Sequence, residues 1–387
     1  MRDFVSKKVR DIKPSGIRKF FDIASEIEGA ISLGVGEPDF DTPWHIREEG
    51  IYSLEKGRTY YTSNSGLKEL RLEIAKYNKR KYNIDYDGLN ECLVTVGGSE
   101  AIDLAMRAII EPGDEIIIVT PCYVSYEPCV ILAGGTVKTI CLKNENKFKL
   151  TKEELEEAIT PKSKALIINF PNNPTGAVMK LDDLKEIAEV CIKHDLLVIS
   201  DEIYADLSYY GEHESIASIS NMKERTIVVN GFSKAFSMTG WRLGYALGPK
   251  DIIKMMTKIH QFCIMCAPTT SQYAAIEALR NGDNDVALMR ESYDERRRYL
   301  LDRLKKMGLP CFTPEGAFYV FPDIRGFGLS SDDFCLKLLE KEKVVVVPGN
   351  AFGESGEGFV RISYAYSIDD LRRALDRVER FLNTLKK

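Results

Sequence analysis

Three short stretches of this 387-residue chain each set a chemically capable residue just past a run of apolar, β-branched residues. Residues 165–169 are followed by P-N-N-P-T-G at 171–176, with Asn173 near its centre. Residues 197–200 are followed by Asp201, Glu202, Ile203 and Tyr204. Residues 226–230 are followed by Gly231, Phe232, Ser233 and Lys234. Singly, each has a plain role: Asp201 as a helix cap, Lys234 as a solvated loop lysine, Asn173 as a turn residue. Together they form a chemical set. A lysine amine condenses with an aldehyde to give a Schiff base. A carboxylate facing a pyridine nitrogen keeps it protonated and makes the ring an electron sink. A phenol and an amide donating to a ring oxygen favour the unprotonated imine and lower its pKa.

Other residues supply what a phosphate tail and a flat ring would need. Gly97, Gly98, Ser99 and Glu100 stand at a strand-to-helix turn, where free backbone N–H groups cradle an anion. Arg242, in G-W-R-L-G-Y at 240–245, adds a planar bidentate charge. Tyr123, in the loop after 115–119, is placed to stack on a pyridine ring.

The elements that must position these groups follow from periodicity. Apolar runs at 92–96, 115–119, 165–169, 197–200, 226–230 and 243–247 alternate with helical patterns such as 101–110 and 181–194. This predicts an α/β fold with a mostly parallel sheet covered by helices on both faces. Ligands of such sheets bind outside the carboxyl ends of the strands. The C-terminal third changes character: a charged helix over 284–307, runs at 316–321, 344–348 and 359–364, and a last helix from Ile368 onward predict a compact α+β domain. The opening segment, to about Pro43, is too short for a domain and is expected to pack on the C-terminal part or cross to a partner subunit. The expected division is 1–45 for the arm with part of the small domain, 46–283 for the large domain and 284–387 for the small one.

Composition narrows the function classes. With 53 Lys plus Arg against 58 Asp plus Glu, the net charge is -5, which gives no electrostatic ground for nucleic acid or an anionic membrane as partner. No apolar run approaches the roughly 20 residues that span a bilayer, and no secretory signal is visible. A cytoplasmic protein is expected. Nine cysteines at irregular spacing are expected to be buried thiols. Cys263 and Cys266 make one C-x-x-C, but His45, His194, His213 and His260 offer no paired spacing for zinc, so no metal is expected. The G-V-G at 34–36 lacks the third glycine and the strand–helix setting of a nicotinamide fingerprint.

The segments at 171–176, 201–204, 233–236 and 240–244, with G-V-G-E-P-D-F at 34–40 and R-I-S-Y at 361–364, resemble the class I aminotransferases of pyridoxal-phosphate fold type I. The likeness runs in order over almost the whole chain and is nearest to bacterial and archaeal aspartate or aromatic aminotransferases. It implies a seven-stranded sheet and a pyridoxal 5'-phosphate cofactor. Lys234 would carry the Schiff base, Asp201 would face the pyridine nitrogen, Asn173 and Tyr204 would contact the ring oxygen, and Tyr123 would stack on the ring. Gly98, Ser99, Glu100, Ser233 and Arg242 would hold the phosphate. Tyr61 would reach the phosphate of the other subunit, which implies a homodimer. Arg361 would grip the substrate α-carboxylate, with Gly36 and Asn173 beside it.

The resemblance also implies transfer of an amino group from an L-amino acid to an oxo acid, commonly 2-oxoglutarate, by a ping-pong route. Aspartate-preferring members of this branch often carry a lysine where this chain has Ser99, so aromatic or other neutral donors remain open. A helix over 17–27, with Ile17 and Phe20 near the substrate, is either a mobile apolar cover or fixed packing. Two alternatives use the same fold: another cofactor-dependent reaction such as C–S β-elimination, and a non-enzymatic regulator, which would carry a DNA-binding module ahead of it.

Overall fold

The computed structural model describes residues 4–10, 12, 16 and 27–385. At its centre is a seven-stranded sheet in the spatial order Cys92–Thr95, Gly244–Leu247, Thr226–Gly231, Leu197–Asp201, Ser163–Asn169, Glu115–Thr120, Thr136–Cys141. All neighbours run parallel except Gly244–Leu247, which is antiparallel to both of its own. Alternation along each strand divides the core between two faces, because successive side chains point to opposite sides. Ile116, Ile118, Ile167 and Ile199 pack with Ala101, Leu104 and Met256 from helices Gly97–Ile109 and Lys250–Cys263. Ile117, Val119, Leu166 and Val198 face the other way, onto Leu184 and Ile187 of helix Leu181–Lys193. Burial on both faces is why these strands read as continuous apolar runs.

The seventh strand, Thr136–Cys141, is the one that no apolar run marked. It lies at the sheet edge and is largely exposed, so only Ile140 had to be a core residue, and Lys138 suits an edge open to water.

Helix Asp283–Met307 ends at Gly308, whose φ of 73° is the left-handed cap that favours glycine. Beyond it, the runs expected at 316–321 and 344–348 are shorter or divided. Only Tyr319–Val320 forms a strand in the first. The second splits at Val346 because its halves take different partners: Val344–Val345 pairs with Ile31–Ser32, and Val347–Pro348 pairs with Val360–Ser363. Helix Ser331–Glu342, capped by the Ser330 hydroxyl on the Asp333 N–H, was not anticipated. The last helix runs Ile368–Leu385. Its Leu371, Leu375, Val378 and Phe381 share one core with Phe318, Val344 and Ile362. Leu33 of the opening segment enters that same core, so this part of the segment packs on the C-terminal third. The expected helix over 17–27, including Ile17 and Phe20, lies almost wholly outside the described residues.

No helix among the described residues is long and apolar enough to cross a membrane. The cysteine expectation needs correcting. Cys92, Cys122, Cys191 and Cys335 are buried, but Cys141 and Cys263 are exposed, and none is paired in a disulfide. Cys141 sits on the open edge strand, and Cys263 ends a helix whose final three residues are exposed. Among the described residues no group of His, Cys, Asp and Glu could hold a metal.

Candidate active site

Strands Ser163–Asn169, Leu197–Asp201 and Thr226–Gly231 are neighbours, so their carboxyl ends bring Asn173, Asp201 and Lys234 to one edge. Asn169 ties two of these ends together. Its amide donates to the Asp201 carbonyl at 2.8 Å and its Oδ1 accepts the Asn173 N–H at 3.0 Å. The turn after it is held by Asn172, which accepts both the N–H and the hydroxyl of Thr175.

Asp201 is buried, and its Oδ2 accepts the Tyr126 hydroxyl at 2.6 Å while Oδ1 accepts the Ile203 N–H at 3.2 Å. Burial raises its pKa to about 6; the two donors work against that rise. Lys234 is partly buried, and its Nζ donates to the Gly36 carbonyl at 2.6 Å. Burial lowers its pKa to about 8, with Arg361 and Arg242 pushing the same way and Glu37 and Asp201 opposing. A neutral amine is thus accessible near physiological pH.

Arg361 comes from strand Val360–Ser363 and is 3% exposed. It donates to Asn173 Oδ1 at 2.8 Å and to the Gly34 carbonyl at 2.5 Å, and its guanidinium lies over the rings of Tyr319 and Phe352. Its Nε is buried with no hydrogen-bond partner. A buried charged donor left unpaired is costly unless something else comes to it. Gly36 passes so close to the Tyr319 hydroxyl that a Cβ there would collide with it.

At the other end of the group, Gly97 opens helix Gly97–Ile109 with φ 76°, and a Cβ on it would lie 2.8 Å from the Arg242 guanidinium. Arg242 is exposed and also donates to the Thr239 carbonyl at 3.2 Å. Gly98 is half-buried, Ser99 exposed and Ser233 buried. The Glu100 carboxylate is occupied by the Val96 N–H and by His260, so the part of Glu100 open to an anion is its backbone N–H. Tyr123 is half-buried, edge-on to Tyr126. Tyr61 is 80% exposed, and none of the hydrogen bonds above involves it.

The model of the class I and II aminotransferase family matches residues 28–378. This chain belongs to that family. The aminotransferase is 49% identical to the aspartate aminotransferase of Pyrococcus abyssi and 47% identical to aromatic-amino-acid aminotransferase 2 of Thermococcus litoralis, with 99% of each chain covered in both cases. Its fold superposes on the aromatic aminotransferase of Pyrococcus horikoshii with a TM-score of 0.91, at 46% identity over 96% of this chain and 99% of that one.

Three groups in the aminotransferase's site were not singled out from sequence. Tyr126 follows Tyr123 by three residues, a spacing that puts both near the start of one helix. Tyr319, whose hydroxyl lies 2.8 Å from that of Tyr204, falls inside an ordinary apolar run. Gly34 contributes only its carbonyl, which no residue type announces. Of these, only the Tyr-x-x-Tyr spacing was a usable signal.

Proposed function

We propose that this aminotransferase works with pyridoxal 5'-phosphate, taking the amino group of an L-amino acid and delivering it to 2-oxoglutarate in two successive half-reactions. One observation carries the reading: a partly buried amine of lowered pKa, Lys234, shares a strand-end edge with Asp201, while Arg361 beside them holds a buried donor with no partner. The residues fit that cofactor. Gly97 leaves room beside Arg242 that a side chain would fill, and the helix behind it presents free N–H groups. Gly98, Ser99, the backbone N–H of Glu100, Ser233 and Arg242 would hold the phosphate, Asp201 the ring nitrogen, Asn173 and Tyr204 the ring oxygen, and Tyr123 a ring face.

When bound, the cofactor supplies the electron-withdrawing ring that makes a substrate α-proton removable. The chain's own groups do the rest. Lys234, neutral above about pH 8, would serve as the nucleophile toward the aldehyde and as the base that moves the α-proton. Arg361 grips the α-carboxylate, using the Nε that has no protein partner and a fork already oriented by Asn173 and Gly34. Asp201, ionised above about pH 6, would keep a proton on the ring nitrogen. Phe318, Tyr319 and Phe352 wall the site with aromatic surface that excludes water.

Ser99 brings no charge for a distal carboxylate, and the walls are aromatic; this favours an aromatic or other neutral donor over aspartate, both being substrates named for relatives. On this reading the chain works in the cytoplasm as a homodimer in which Tyr61 serves the partner's phosphate. It divides into an arm (1–45), a large domain (46–283) and a small domain (284–387). The exposure of Tyr60, Tyr61, Trp44 and Phe262 on the single chain supports the dimer.

The test is incubation of the loaded protein with single amino acids plus 2-oxoglutarate. Glutamate and the matching oxo acid are expected; ammonia or a thiol instead would show a lyase. Lys234→Ala should abolish turnover and the visible absorbance of lysine-bound cofactor together. Normal turnover in that variant would sink the assignment.

A further inference from the structure

A carboxylate stands where an anion is to be bound. Glu100 is the fourth residue of helix Gly97–Ile109, close enough to the helix mouth to take its free N–H groups and to repel a phosphate. In this chain it is turned aside. Its Oε2 accepts the Val96 N–H at 2.5 Å, and its Oε1 lies 2.7 Å from Nδ1 of His260. His260 comes from helix Lys250–Cys263 and is fully buried, and its Nε2 is buried with no hydrogen-bond partner. An unpartnered lone pair costs less than an unpartnered N–H of a charged ring. The proton therefore belongs on Nδ1, donated to Glu100.

We propose that His260 is a positioning residue for the cofactor phosphate: its Nδ1–H pins the Glu100 carboxylate onto the N–H of Val96, the residue that caps the helix, so that the N–H groups of Gly97, Gly98 and Ser99 stay available to the anion. This rests on the reading of the site as one for pyridoxal phosphate. Freed from His260, the carboxylate would turn toward the positive end of its own helix, which is the place the phosphate needs.

The experiment measures the affinity of cofactor-free protein for pyridoxal phosphate and for pyridoxal, which lacks the phosphate. His260→Leu should weaken pyridoxal phosphate by about tenfold, the size of a charge effect at a helix terminus, and leave pyridoxal unchanged. His260→Asn keeps a donor and should stay near the wild-type value. Adding Glu100→Gln to His260→Leu should restore binding, because the amide carries no charge. Equal losses for both aldehydes, or no recovery in the double variant, would reduce His260 to a packing residue and overturn the proposal. Should His260→Leu fail to fold, Glu100→Gln alone decides: binding at least as tight as wild type is expected, and a tenfold loss would mean the carboxylate assists the anion. A wild-type protein that bound both aldehydes equally would overturn the cofactor reading, and this proposal with it.

Discussion

Tyr126 and Arg361 show how much of the site's behaviour sits on single hydrogen bonds. The Tyr126 hydroxyl is a donor to a buried carboxylate, and such a donor favours the ionised form. Removing it with Tyr126→Phe raises the Asp201 pKa further above its ordinary value. The acid limb of a kcat/KM profile should therefore move to higher pH than in the wild type; a limb that stays in place would remove Tyr126 from the account. Lys234 titrates in the opposite sense, since its reactive form is the deprotonated one. The rate at which cofactor-free protein condenses with pyridoxal should climb through about pH 8 and level off above it, and a midpoint near 10 would contradict the lowered amine. Arg361→Lys replaces a fork by a point charge and leaves Asn173 without its donor. Charge-assisted hydrogen bonds are worth about 1.5–3 kcal/mol each, so KM for α-carboxylate substrates should rise by one to two orders of magnitude, read from steady-state kinetics. At this scale the sequence was legible where a residue type declares its chemistry. Lys234, Asp201 and Arg361 do; the Gly34 carbonyl and the Glu100 carboxylate, diverted by a histidine 160 positions away, do not.

Strand ends act as fixtures through the side chains that lock them, and Asn169 is the clearest of these. Its two hydrogen bonds hold the Asn173 turn against the end of the Asp201 strand. Asn169→Ala leaves a buried carbonyl and a buried N–H unserved, each costing about 1–3 kcal/mol. A lower Tm and a loss of kcat larger than any rise in KM are expected; wild-type kcat would mean the turn holds without it. The six apolar strands announced themselves because both of their faces are covered. Thr136–Cys141 did not, since an edge needs little apolar surface, and neither did the break at Val346, which depends on which partner each half meets. Long-range pairing of that kind is absent from local pattern.

On the scale of the whole molecule, the exposed aromatic surface around Tyr60, Tyr61 and Phe262 bears on the count of chains per working site. Sedimentation should find a dimer, and Tyr61→Phe should loosen the cofactor without splitting it; a fully active monomer would refute shared sites. Another feature reaches further in time than in space. Strand Ile31–Ser32 pairs with Val344–Val345, and Gly34, three residues from the first of them, accepts from an arginine 327 positions later. Contacts of such separation cannot form until nearly all of the chain has been synthesised, and they are slow to close. During synthesis the large sheet has its strands in hand long before Arg361 can reach the Gly34 carbonyl. Ribosome-bound chains stopped before residue 344 would therefore hold an ordered sheet with a loose leading segment, open to proteases until the last strands emerge to clasp it.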